Sequence, residues 1–259
     1  MRILFPGAVA LALATTPAIA QDRDNCRHEA QRSLNLDAAG ARLLAIDAGS
    51  GSLKVEGRQG LNRVVIRGRA CASDADYLDD IKLEGSRDGN SIVVRANVRD
   101  WNFSGFHTGN QYARLDVVME VPLGVNVNID DGSGEIDLRN LGDVDIDDGS
   151  GEIIGDGLGA VRIDDGSGEI RLVDVRGRVD IKDGSGEINL RNVAGAIDID
   201  DGSGEIDVRT AKSGIRISDS SGSISVADVA GDFVVDEDGS GGIDYDNVRG
   251  HIDIPRRRR

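Results

Sequence analysis

The chain is poor in the residues that most often carry chemistry. It has two cysteines, three histidines and one tryptophan in 259 residues, with 3% aromatics in all. Two sulfurs (Cys26, Cys71) and three distant imidazoles (His28, His107, His251) make no zinc ligand set, which needs several N or S donors at short spacings. No H-E-x-x-H, G-x-S-x-G or S-x-x-K occurs, so the common metalloprotease, hydrolase-elbow and serine-lysine signatures are missing. Basic charge is in deficit, with 30 Lys/Arg against 46 Asp/Glu. That argues against general nucleic-acid binding, which needs a positive surface. Beyond residue 20 no apolar run approaches the ~20 residues that would span a bilayer.

What is present begins with an export signal. Arg2 supplies the positive region, Ile3 to Ala14 the apolar stretch, and Pro17-Ala18-Ile19-Ala20 a small-residue cleavage site. Residues 1–20 therefore read as a signal peptide, with the mature chain starting at Gln21 in the periplasm, outside the cell or at its surface. Cys26 lies six residues past the cut and does not read as a lipid-attachment cysteine. In an oxidising compartment, Cys26 and Cys71 are expected to form a disulfide that ties down residues 21–45, two free thiols being the alternative.

From residue 130 to 254 the chain repeats itself. Seven units read D-G-S-G-E-I or a close variant. Their serines (Ser133, Ser150, Ser167, Ser185, Ser203, Ser221, Ser240) are spaced by 17, 17, 18, 18, 18 and 19 residues. Five apolar columns run through the units, beginning at Ile136, Leu138, Leu141, Val144 and Ile146. Ile136/Leu138 and Val144/Ile146 alternate with polar residues, the period of a strand with one buried face. A fixed period near 18 with two such strands per unit predicts an all-β fold, a parallel β-solenoid with 17–19-residue rungs. The handedness preference of parallel crossovers points to a right-handed stack. Invariant Gly134 and its equivalents mark one corner, and Gly142 and most of its equivalents the other. Gly155, in the Leu138 column, predicts a local gap or bulge.

Residues 46–129 read as a less regular continuation that caps the stack. Ile46 to Val55 is a degenerate copy of the repeat. Strands are expected at Val64–Arg67, Ile81–Glu84, Ser91–Val98 and Arg114–Val121, with Ser73 capping a short helix through Asp79. At the far end Pro255 and the basic tail to Arg259 discourage growth by edge pairing.

Two features are candidate sites. The repeat holds 31 acids against 11 Lys/Arg, and it stacks Asp131, Asp148, Asp165, Asp183, Asp201 and their two successors about 4.8 Å apart. Like charges so close need compensation. The column could hold Ca²⁺ through hard oxygen ligands, or each Asp could cap its own Gly-Ser-Gly turn. Neither the EF-hand nor the calcium-roll spacing is matched. The second feature is an aromatic loop with Trp101, Phe103, Phe106, His107 and Tyr112. It suits glycan stacking or a protein contact, or else plugs the end of the stack.

The signal peptide, the strand run from Ala113 to Val127 and the G-S-G-E-I units together resemble the bacterial putative-adhesin family of exported β-strand-repeat proteins, a domain family of unassigned function. The resemblance covers residues 35–254. It implies a fold and a location, and supplies no catalytic, cofactor or ligand residues. The expectation is a non-catalytic envelope or surface binding module without a cofactor, other than a cation on the Asp column. A purely structural envelope scaffold and a β-helix carbohydrate-active enzyme are the rivals.

Overall fold

The computed structural model describes residues 26–98 and 111–255. Its first eight strands are β1 (His28–Asp37), β2 (Leu43–Ser50), β3 (Leu53–Arg58), β4 (Arg63–Ala72), β5 (Ile81–Asp88), β6 (Ser91–Val98), β7 (Ala113–Pro122) and β8 (Asn126–Ser133). The repeats then contribute two strands each. They are β9 (Ile136–Arg139) with β10 (Val144–Asp148), β11 (Gly151–Asp156) with β12 (Val161–Asp165), and β13 (Gly168–Val175) with β14 (Val179–Asp183). β15 (Gly186–Val193) with β16 (Ile197–Asp201), and β17 (Gly204–Ala211) with β18 (Ile215–Asp219), continue the stack. β19 (Gly222–Val229) with β20 (Phe233–Asp238), and β21 (Ile243–Val248) with β22 (Ile252–Asp253), close it.

These strands form two 11-stranded sheets. One runs β1-β4-β7-β3-β9 and on through the odd strands to β21, the other from β22 through the even strands to β8, then β2-β6-β5. Pairing is parallel throughout the repeats and in register up to one bulge against β20, so Ile170 faces Ile188, Leu172 faces Leu190 and Val161 faces Val179. The five apolar columns point between the sheets and are buried from Ile136 to Val235. The fold is the β-solenoid that the period demands: one coil cannot cover its own apolar face, so neighbours must stack.

The coils are not in sequence order at the N-terminal end. β2 and β3 lie inside the stack, with Ile46 opposite Ile129 and Leu53 opposite Ile136. β6 and β7 form the coil outside them. Antiparallel strands then cover the end: β5 on β6, β4 on β7, and β1 on β4 over ten residue pairs. The antiparallel cover is therefore β1, β4 and β5, and β1 had no signal in the repeat pattern. The short helix is a 3-10 turn, Ala75–Asp80, capped by Asp74 rather than Ser73. Ser73 instead accepts from the Tyr112 amide through its hydroxyl.

One further local expectation is corrected. Gly155 makes neither gap nor bulge: it keeps register with Leu138 and Leu172. Its missing side chain is replaced by Leu158 and Leu172, whose methyls would come within 2.7 Å of a Cβ there. The bulge falls between Ile217 and Ser218 opposite β20, where the longest unit inserts a residue. The D-G-S-G corner does require glycine. Gly204 has φ +158°, and a Cβ on it would sit 1.5 Å from the Gly186 carbonyl oxygen of the coil below. The opposite corner carries a left-handed column that the glycine pattern did not reveal, with Asn140, Asp174, Asn192, Thr210, Asp228 and Asn247 all at φ between 51° and 64°. Asn and Asp tolerate that region better than other residues. They also bond along the stack, Asn192 donating to Asp174 and Asn247 to Asp228.

Candidate functional site

The aspartates of the D-G-S-G corner point inward. Asp131, Asp148, Asp165, Asp183, Asp201 and Asp219 are each at most 6% exposed, in a molecule whose other buried residues are nearly all apolar. In five of them Oδ1 accepts the backbone N–H of the serine two residues on, at 3.3 Å for Asp148, 3.1 Å for Asp165, Asp183 and Asp201, and 2.9 Å for Asp219. This is an Asx turn, so the turn-capping role is met by one oxygen of each carboxyl. The other oxygen, Oδ2, has no protein donor, and in Asp131 neither oxygen meets one within hydrogen-bond geometry. The Gly132 and Ser133 amides only face Asp131 loosely.

Burial is the largest influence on these carboxyls, and it raises them all. Asp131 is pushed up to about 7, and Asp148, Asp183 and Asp201 to about 6. Asp165 and Asp219 are raised for the same reason. The charge on a neighbouring coil adds to the rise, Asp165 acting on Asp148 and both Asp183 and Asp219 on Asp201, while the turn amides pull the other way. Each coil contributes one carboxylate. Among the described residues, no three His, Cys, Asp or Glu side chains gather as they would around a metal ion.

The cap end of this corner opens into a groove of about 620 Å³. Its walls come from Ser50–Lys54, Ala113–Val118 and Ser133–Asp137, with Arg69 on the antiparallel cover. Two of its carboxylates, Asp116 and Asp137, are held in ion pairs. Asp116 accepts from Arg69 at 2.9 Å and from the Ser52 amide at 3.2 Å, with Arg114 at 3.4 Å. Asp137 accepts from Lys54 at 2.6 Å and from Arg139 at 3.0 Å. Burial opposes ionisation of Asp137, but the bonds and charges of Lys54 and Arg139 outweigh it and hold the carboxyl below its ordinary value. Asp137 is therefore a weak base, suited to recognition rather than proton abstraction. Lys54, Arg69, Asp116 and Asp137 did not stand out as a site in sequence, because the groove is assembled by β3, β7 and β9 lying side by side out of chain order.

Cys26 and Cys71 are joined as a disulfide, with their Cα atoms 5.5 Å apart. The bond fastens the start of β1 to β4 on the cover. Of the aromatic candidates, Trp101, Phe103, Phe106 and His107 lie outside the described residues. Tyr112 is half-buried, and its hydroxyl accepts the Arg27 amide at 2.9 Å beside the disulfide. No helix among the described residues is long and apolar enough to cross a membrane.

No curated protein matches the chain. Solved structures match the chain at low identity. A putative adhesin from Parabacteroides merdae is 12% identical with a TM-score of 0.46, covering 86% of this chain and 95% of its own. A putative adhesin from Bacteroides fragilis is 14% identical with a TM-score of 0.38, covering 88% and 97%. A putative lipid binding protein from Parabacteroides distasonis is 14% identical with a TM-score of 0.41, covering 86% and 96%. The family model Toastrack DUF4097 matches residues 44–244, from the first buried leucine of β2 to the last coil, and the chain belongs to that family, whose function is unassigned.

Proposed function

We propose that this protein is a non-catalytic exported β-solenoid that serves as a cell-envelope or surface binding module of adhesin type. The observation that supports it best is the groove at the junction of cap and stack. Two of its carboxylates are held in ion pairs, Asp116 with Arg69 and Asp137 with Lys54. Preorganised charges cost little ordering entropy on binding, which favours recognition of a polar ligand such as a glycan or a protein surface. Val118 is 43% exposed on the groove wall and adds an apolar contact. Trp101, Phe103, Phe106 and His107, which lie outside the described residues, are the aromatic side chains we propose for ligand stacking.

The test is a screen of residues 21–259 against a glycan array and purified envelope fractions. Val118→Trp, which blocks the groove, and Lys54→Glu, which inverts one of its charges, provide the comparison. Binding that both variants lose while remaining folded is the expected result. A ligand bound equally by all three forms places recognition elsewhere. Binding by none of them turns the reading to a structural scaffold.

A further inference from the structure

The inner aspartates present a problem that turn capping does not solve. Six consecutive coils each bury a carboxyl oxygen that no protein donor reaches. A buried acceptor left so costs about 1–3 kcal/mol, and more when it is charged. Adjacent members are register partners in parallel strands, Asp148 with Asp165, Asp165 with Asp183 and Asp183 with Asp201. Their backbones are therefore about 4.8 Å apart. Full ionisation would line up six negative charges away from water.

Among the described residues, no cation is seen to act on the column. Besides one another, the charged groups acting on the column are Asp130, Asp147, Asp164 and Asp238, all acidic. Across the corner, Glu169 is engaged by Arg171 and Glu187 by Asn189, on the outer face of the other sheet. Arginines of the even-strand face bind outward acids, Arg178 to Asp198 and Arg216 to Asp236.

We propose that the inner column is a shared-proton ladder, in which alternate aspartates keep their proton and donate Oδ2–H to the ionised carboxylate of the next coil. One proton per pair then removes a buried charge, supplies the missing donor and turns a repulsion between coils into a short charge-assisted bond. The serine amides remain bonded to Oδ1, so the corner keeps its shape in either state. Nothing is transferred to an outside acceptor: protons enter from water at low pH and return to it at high pH.

The sign follows from linkage. The folded values, about 6 to 7 where most strongly raised, lie above the unfolded one, about 3.9. The column therefore binds more protons in the native state, and its contribution to stability is full below about pH 4 and is lost as pH rises through 6 and 7.

Three forms of the mature chain test this. They are the parent, an inner triple (Asp165→Asn, Asp183→Asn, Asp201→Asn) and an outer triple (Asp147→Asn, Asp164→Asn, Asp200→Asn). The outer triple removes the same number of carboxyl groups from exposed positions one residue before Asp148, Asp165 and Asp201. Melting is measured from pH 5 to pH 8, and infrared spectra are recorded at pH 7 for the stretch of a protonated carboxylic acid. The parent and the outer triple should melt several degrees higher at pH 5 than at pH 8, and the inner triple should lose most of that difference. The parent should show the acid band at pH 7 and the inner triple a weaker one. Should the inner triple not fold, the parent's infrared spectrum decides. Absence of the band in the parent, or a pH slope that survives in the inner triple, overturns the ladder. So does a rise in the parent's melting temperature with Ca²⁺, beyond that in NaCl of matched ionic strength and absent from the inner triple, since it would make the column a cation site.

Discussion

Ile170 and Ile188 face each other on adjacent parallel strands, both fully buried, and the same pairing continues to Ile206. Each isoleucine is packed from above and below by its own equivalent, so a change at one coil is felt by two others. Ile188→Ala should lower stability by roughly 2–5 kcal/mol through the cavity it leaves. Ile188→Asp should break the stack, since it buries an unpaired charge. A melting temperature for the Asp variant equal to that of the parent would refute the inward placement.

Gly204 and Gly242 separate backbone necessity from sequence habit. At Gly204, φ +158° and the Gly186 carbonyl leave no room for a Cβ, whereas Gly242 has nothing within 4 Å. Gly204→Ala should cost several kcal/mol and Gly242→Ala less than about 1 kcal/mol. Denaturant titration of the two variants side by side checks the contrast.

The disulfide makes a prediction about thiols. The oxidised protein should show none until it is reduced, because Cys26 and Cys71 are bonded to each other. Cys26→Ser with Cys71→Ser should lose about 2–4 kcal/mol. Since the bond fastens β1 to β4, exchange protection should fall first on the cover and last in the repeats. Uniform loss of protection would contradict that order.

Asp137 should respond to pH in the direction opposite to the inner column. Its folded value is lowered, so its contribution is present above the unfolded value and disappears as pH falls through the folded one. Lys54→Ala should cost roughly 1 kcal/mol at pH 7, with a smaller difference from the parent at pH 3. A constant difference across that range would show that Lys54 acts through packing alone.

The acidic repeat should also be stabilised by salt. Residues 130–254 carry 31 acids against 11 Lys/Arg, and mobile ions screen exposed charges beyond about 8–10 Å. A melting temperature independent of NaCl between low and physiological ionic strength would show that cross-coil pairs such as Arg178–Asp198 already balance the field.

The regular half of the molecule was legible because every coil repeats one solution. The columns from Ile136 and Ile146 could be read as inward since period and alternation agreed. The Asp column was visible too, but not its inward direction or its bare second oxygen, which depend on how the corner turns. Lys54, Arg69, Asp116 and Asp137 were invisible, since no spacing joins residues 54, 69, 116 and 137 until β7 lies beside β3.

Sequence alone determined that the chain must stack. Its 17–19-residue period buries apolar side chains only when identical coils cover one another, and glycine recurs where backbones touch. Tertiary structure decided the rest. It set the order of the first coils, with β2 and β3 enclosed between later strands. It also decided which antiparallel strands close the end, and therefore where the groove lies. Those choices turn on long-range pairing and on the fit of irregular segments, which are properties of surfaces that meet in space and leave no period along the chain.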